Sequence, residues 1–267
     1  MTAGSSGHIW AVGSAYEGYI GRWSRLVARE FLAWLDVASG RRWLDVGCGT
    51  GALSQTILER SAPSTVTGID ASGGFVDHAR GQISDPRASF RVGDAQALPF
   101  EDGDFDAAVS GLVLNFVPDP ARMLGAMRRV VQPGGVVAVY VWDYAGEMHV
   151  MRYFWDVAAE LDPAARNLAE GLRFPVCRPG PLAELARAAG LDEVATRSLD
   201  VSATFQDFDD YWTPFLGGQG PAPAYCMSLT EERRAALRER LRAALPIRPD
   251  GSVALIARAW AVRGRVA

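Results

Sequence analysis

Three aspartates close short apolar runs: Asp45 in "WLDVGCGTG", Asp70 in "STVTGID" and Asp94 in "ASFRVGD". Behind the first, glycines recur at alternate positions, Gly47, Gly49 and Gly51. Glycine carries an entropic cost in ordered chain, so this density signals a group that must lie close to the backbone. A strand, a glycine turn and then a helix would set small residues and helix amides against a ligand. The spacing disfavours two nucleotide classes. The third glycine follows the second by two residues, not by the three of G-x-G-x-x-G, and no G-K-[ST] ends the turn for a triphosphate. Asp45 at the strand end repels phosphate and attracts a cationic group. Asp70 falls nineteen residues after Gly51, where a carboxylate suits both hydroxyls of a ribose. Asp94 stands where an adenine amino group could be read. A ribose, an adenine and a cationic part without phosphate describe S-adenosylmethionine.

The elements that must hold these residues follow from hydrophobic patterning. "RRWLDVG", "STVTGID", "ASFRVGD", "FDAAVSGLVL" and "GVVAVYVW" read as strands, mostly continuous runs rather than alternating ones, as expected for strands buried on both faces. Helices are expected between them, from Leu53 and Ile57, from Phe75, Ala79 and Ile83, and from Met123, Met127 and Val130. "QPGG" at 132–135 stops the last of these and turns into a strand. Strand–helix alternation over 41–142 specifies an α/β fold, a doubly wound parallel sheet with helices on both faces. The pattern then breaks. "EMHVMRYFWDVAAEL" and "PLAELARAAG" are helical, the second closed by Gly190, and "EVATRSLDVSATF" is a strand. An aromatic helix, "FDDYWTPF", and an irregular loop, "GGQGPAPAYC", come next. Ser228 and Glu231 form a capping-box pattern before the helix bearing Leu237, Leu241 and Leu245. The closing strand, "SVALIARAWAVRG", pairs with the earlier one as an antiparallel hairpin at the sheet edge.

Five stretches in order, "LDVGCGTG", "VTGIDAS", "GDAQALPFEDGDFDAAVS", "LVLNFVPDP" and "RRVVQPGGVVAVY", resemble the class I S-adenosylmethionine-dependent methyltransferases. Within that class they are similar to the ubiquinone/menaquinone C-methyltransferase branch. The resemblance covers residues 41–142. It implies a Rossmann-like seven-stranded sheet of order 3-2-1-4-5-7-6, with strand 7 antiparallel and a helical cover inserted after strand 5. It also implies that Asp45 and the turn with Gly47, Gly49 and Gly51 face the methionine part, Asp45 nearest its ammonium. Asp70 would hold the ribose hydroxyls, with Ala71 and Ser72 beside the adenine and Asp94 and Ala95 on its edge. Gly111 and Leu112 would line the methionyl side. The chain departs from the family after the fourth strand, where "LNF" replaces His-His or Arg-Asn, so Asn115 and Phe116 identify no acceptor. Tyr16 and Tyr19 lie where related enzymes fold a segment over the cofactor.

Segments follow from the same pattern: 1–40 an N-terminal helical or lid segment, 41–142 the cofactor-binding core, 143–190 a helical acceptor-side insertion, and 191–267 the strands and helices completing one structural domain. The function implied is methyl transfer to a small-molecule acceptor by in-line displacement. A cofactor-binding protein without transferase activity, or a nicotinamide oxidoreductase, are the alternatives. Trp142, Asp143, Tyr144, Tyr153, Trp155, Tyr211 and Trp212 are candidates to line an acceptor site, and His149 is the candidate base. The segments 143–190 and 205–228 are expected to cover the cofactor, and Cys48 to be a packing residue.

A net charge of −4 over 267 residues argues against a nucleic-acid partner. In "EERRAALRERLR" acidic and basic residues interleave, as on a solvated helix face. The three cysteines lack zinc spacing, and their odd number suits a reducing compartment. No apolar run reaches membrane-spanning length and the first residues have no signal-peptide pattern, so a cytoplasmic protein without a metal is expected.

Overall fold

A computed structural model of the chain describes residues 21–218 and 220–267; Tyr16 and Tyr19 lie outside the described residues. Helix α1 (Arg22–Leu35) leads into β1 (Arg42–Val46), α2 (Ala52–Arg60), β2 (Thr65–Asp70), α3 (Gly73–Gln82) and β3 (Ala88–Val92). Then come β4 (Phe105–Gly111), α4 (Pro120–Val130) and β5 (Val131–Trp142). These strands form one parallel sheet, because helices, and the loop 93–104 between β3 and β4, carry the chain back to the same end each time. Local chemistry sets the starts. Ser72 caps α3 by accepting from Phe75 N–H, and Asp119 caps α4 by accepting from Arg122 N–H, with Pro120 at the first helical position.

The run 132–135 is not a break before β5 but a bulge inside it. Phe105 pairs with Val131 and Ala107 with Val136, so five residues of β5 advance against two of β4. From Val136 onward β5 is buried at every position, as its uniform apolar run requires. The expected strand through Leu114 stops early. β4 ends at Gly111 because Leu112 turns to φ +64°, and Leu114–Phe116 form a 3-10 turn.

Beyond β5 lie α5 (His149–Leu161), a 3-10 turn (Pro163–Leu168), α6 (Glu170–Arg173) and α7 (Pro179–Ala188). β6 (Leu191–Phe205), α8 (Phe208–Trp212), α9 (Pro221–Ser228), α10 (Glu231–Ala244) and β7 (Val253–Val266) complete the chain. β7 enters antiparallel between β5 and β6, giving the order β3-β2-β1-β4-β5-β7-β6. From Leu199 on, β6 alternates buried and exposed residues, as an edge strand with one solvated face does.

Three expectations in this half are corrected. The "GGQGPAPAYC" stretch becomes helical from Pro221, since prolines are tolerated in a first turn whose N–H groups lack helical partners. Ser228 ends that helix, its hydroxyl donating to Tyr225 O, and the cap of α10 is Thr230, which accepts from Arg233 N–H. α7 packs on β6 and β7 and beside α4, so it belongs to the layer flanking the sheet and not to a cover.

Candidate functional site

The carboxyl ends of β1, β2 and β4 lie together: Asp45 is in register with Gly68 and Val109, and Gly111 with Tyr140. After β1 the chain turns toward β2 on one side while β4 lies on the other. This is the switch point at which open α/β sheets bind ligands. Two adjoining cavities, each of about 200 Å³, open there. They share Gly47, Asp70, Val113 and Phe116 and are two lobes of one cleft.

The first lobe is lined by Asp45, the turn from Gly47 to Thr50, Gly111 and Leu112, together with Ser24, Leu53, Phe75 and Tyr140. Asp45 is 1% exposed. Its Oδ2 accepts from the Ser54 hydroxyl at 2.7 Å, and its Oδ1 has no partner among the described residues. Burial pushes its carboxyl up to about 7; the Ser54 hydroxyl opposes this and the nearby Asp70 charge adds to it. A buried acceptor left without a donor is costly, and a ligand ammonium would supply both the donor and the opposite charge.

The turn itself offers little to an anion. Gly47 N–H and Cys48 N–H both donate to Ile69 O, Gly49 N–H to Asp70 Oδ2, and Gly51 N–H to Cys48 O. These amides are consumed inside the fold, unlike those of a phosphate-cradling loop. Cys48 is buried, and burial with the Asp45 and Asp70 charges pushes its thiol up, which suits packing and not nucleophilic work.

Only one of the three glycines faces open space. A Cβ on Gly47 would stand 2.6 Å from a Val113 methyl, and one on Gly51 2.7 Å from Ile83 Cδ1, whereas a Cβ on Gly49 would meet nothing within 4 Å. Gly51 lines neither lobe. The expectation that all three glycines clear room for a ligand is therefore corrected at Gly51, which makes room for Ile83; Gly47 lines both lobes while also clearing Val113, and Gly49 lies against the cleft.

The second lobe is lined by Ala71, Gly93, Asp94, Ala95 and Gln96, with Asp70 at its junction with the first. The Asp70 carboxylate accepts from Gly49 N–H at 2.9 Å and from Ser72 N–H at 2.8 Å, one on each oxygen. Burial nonetheless raises its pKa, with those two bonds acting against the shift. Ser72 lines neither lobe; its hydroxyl is committed to the α3 cap, a correction to its place beside the adenine. Gln96 was missed by pattern reading. Its side-chain amide donates to Asp94 Oδ1 and its Oε1 accepts from Asp119 N–H, which fixes the rim of the lobe. Phe116, which the sequence left without a role, borders both lobes.

The candidates for an acceptor site are elsewhere. His149 lies outside both lobes, its Nε2 paired with Glu147 at 2.8 Å and its Nδ1 accepting from Ile256 N–H on β7. The structure thus gives no support to His149 as the base. Trp142 and Asp143 are buried, and the Asp143 carboxylate accepts from Glu147 N–H to hold the turn after β5. Tyr211 donates to Val150 O, and Trp212 stacks on Phe208. Tyr153 meets His149 edge-on. Tyr144 and Trp155 line a different cavity. These aromatics belong to the main hydrophobic core or pack against it, and none of them lines the cleft.

Comparison with known proteins fits this geometry. Residues 44–139 match the family described as "Methyltransferase domain". The chain is 34% identical to the 2-methyl-6-phytyl-1,4-hydroquinone methyltransferase of Synechocystis over 186 residues, covering 68% of this chain and 56% of that protein. It is 32% identical to the ubiquinone biosynthesis O-methyltransferase of Paracidovorax citrulli, covering 63% and 72%. Among solved structures, Haemonchus contortus phosphoethanolamine N-methyltransferase 2 shares the fold with a TM-score of 0.61 at 13% identity, over 97% of this chain and 59% of that one. In three of the curated relatives the match spans 33%, 56% and 66% of the relative's own length. No helix among the described residues is long and apolar enough to cross a membrane. With its matched domain, its curated relatives and its 3-2-1-4-5-7-6 sheet, the chain belongs to the class I S-adenosylmethionine-dependent methyltransferases.

Proposed function

We propose that this protein transfers a methyl group from S-adenosylmethionine to a small-molecule acceptor. The observation that carries the reading is the unpartnered Oδ1 of buried Asp45 in the first lobe, with the Asp70 carboxylate at the junction to the second. An ammonium group fits the first, ribose hydroxyls the second, and an adenine the lobe of Ala71, Asp94 and Ala95. The first turn of α2, whose Ala52 and Leu53 line the cleft, favours a carboxylate through its helix dipole. Bound there, S-adenosylmethionine supplies a methyl group on a sulfonium sulfur, already activated for in-line displacement.

The chain's own part is alignment and exclusion of water. Leu53, Phe75, Leu112, Val113 and Phe116 give the first lobe apolar walls, and no histidine lines either lobe among the described residues. Leu112 holds a left-handed backbone conformation at φ +64°, local strain of the kind found at ligand clamps. Such a site suits an acceptor whose nucleophilic atom needs little help to lose a proton.

Two measurements test the reading. Isothermal titration should show S-adenosylhomocysteine binding in the micromolar range, and no binding at millimolar ligand would overturn it. Incubation with S-adenosylmethionine and a panel of hydroquinones, carboxylic acids and amines should release S-adenosylhomocysteine with at least one of them. Binding without release across the panel would favour a cofactor-binding protein without transferase activity.

A further inference from the structure

A second cavity, of about 600 Å³, lies between α5 and the run 163–178, a volume in the range of small-molecule sites. Tyr144, Trp155 and Leu172 give it apolar surface. Its charged residues divide sharply by what they already do. Arg152 donates to Ala145 O and Gly146 O and reaches Asp156, while Glu160 accepts from Arg240. Arg166 and Arg178 also line the cavity, and among the described residues neither has an acceptor or carboxylate partner. Arg178 immediately precedes α7, which starts without a side-chain cap, so the positive end of that helix reinforces its charge. Two guanidiniums lining one cavity present planar donor forks matched to the oxygens of a carboxylate or phosphate.

We propose that this cavity binds a small organic oxyanion, a carboxylate or phosphate carried on an apolar body. Arg166 and Arg178 hold the oxyanion, and Tyr144 and Trp155 lie against the body. The cavity is a compartment separate from the cofactor cleft. A row of rings stands between them, Tyr144 to Phe174 at 6.1 Å and Phe174 to Phe116 at 5.4 Å. The inference does not depend on methyl transfer, and both ligands can be held at once.

Phenyl phosphate and 3-phenylpropionate, titrated separately into the whole chain and followed by saturation-transfer NMR, test it. At least one should bind with a submillimolar Kd, and which one does identifies the oxyanion. The Arg166→Gln/Arg178→Gln double variant should weaken that binding at least about tenfold. S-adenosylhomocysteine affinity should stay unchanged, which reports that the variant is folded. Should the double variant fail to fold, Arg166→Gln and Arg178→Gln are read singly by the same criterion. Failure of both probes to bind, or equal affinity in folded variant and parent, overturns the proposal.

Discussion

Gly49 N–H donates to Asp70 Oδ2 across 2.9 Å, pinning the glycine turn after β1 to the last residue of β2. Asp70 thus has two tasks, closing the turn and facing the cleft. Replacing it by alanine leaves the Gly49 and Ser72 amides without their acceptor and removes the charge at the junction of the lobes. Asp70→Ala should weaken S-adenosylhomocysteine binding at least about tenfold, since hydrogen bonds to a charged group contribute about 1.5–3 kcal/mol. It should also lower unfolding free energy by about 1–2 kcal/mol, with the far-ultraviolet spectrum unchanged. Titration calorimetry and urea denaturation read the two effects; an unchanged dissociation constant would place the ribose elsewhere.

Asp45 links the cleft to pH. Burial holds its carboxyl at about 7, against 3.8 in the unfolded chain. With the folded value raised, its contribution to stability is fully present below about pH 4 and is lost as pH rises through about 7. An ammonium placed on the unpartnered Oδ1 reverses that preference, because it favours the carboxylate. S-adenosylhomocysteine binding should therefore release a proton below about pH 7 and tighten by up to about tenfold per pH unit toward that value. Calorimetry in buffers of different ionisation enthalpy measures both. Asp45→Asn should bind more weakly above pH 7 and lose this proton linkage, while the free variant gains stability relative to the parent as pH rises through about 7. Affinity of the parent that stays flat with pH would show that no cation meets Asp45.

How far the site could be read from sequence depends on how local its causes are. Strand identity was legible because β1, β4 and the second half of β5 are mostly apolar and largely buried, and the strand order followed from the family resemblance. Asp45, Asp70 and Asp94 stood out because each closes such a run at the carboxyl edge of the sheet. Other features depend on partners far away in sequence. Nothing in "GCGTG" shows that Val113 and Ile83 fill the space beside Gly47 and Gly51, or that Ser72 is spent on a helix cap. Leucine carries no signal for the positive φ at Leu112 that ends β4. The aromatics of 143–228 share the composition of a ligand pocket and of a packing core. Only contacts such as Phe154 stacked on Phe215 at 4.6 Å separate the two.

The division of labour among the turn glycines gives the last prediction. Gly47, Gly49 and Gly51 have φ of +74°, +52° and +90°, so alanine at any of them carries backbone strain of about 1–2 kcal/mol. At Gly51 the added methyl also meets Ile83 and Ala79, on the far side of the turn from the cleft. Gly51→Ala should thus lower stability by about 2–3 kcal/mol and leave S-adenosylhomocysteine affinity near the parent value in the folded protein. Gly49→Ala adds a methyl that touches nothing in the protein, so its stability loss should stay near the backbone term. The methyl enters the open space at the cleft wall, so affinity should fall at least about tenfold, through the steric cost of overpacking. Gly47→Ala should do both, because the Val113 methyls it displaces line both lobes. Urea denaturation beside titration calorimetry on the three variants separates the effects. Equal losses of affinity in Gly51→Ala and Gly49→Ala would mean that Gly49 has no special place at the cleft wall.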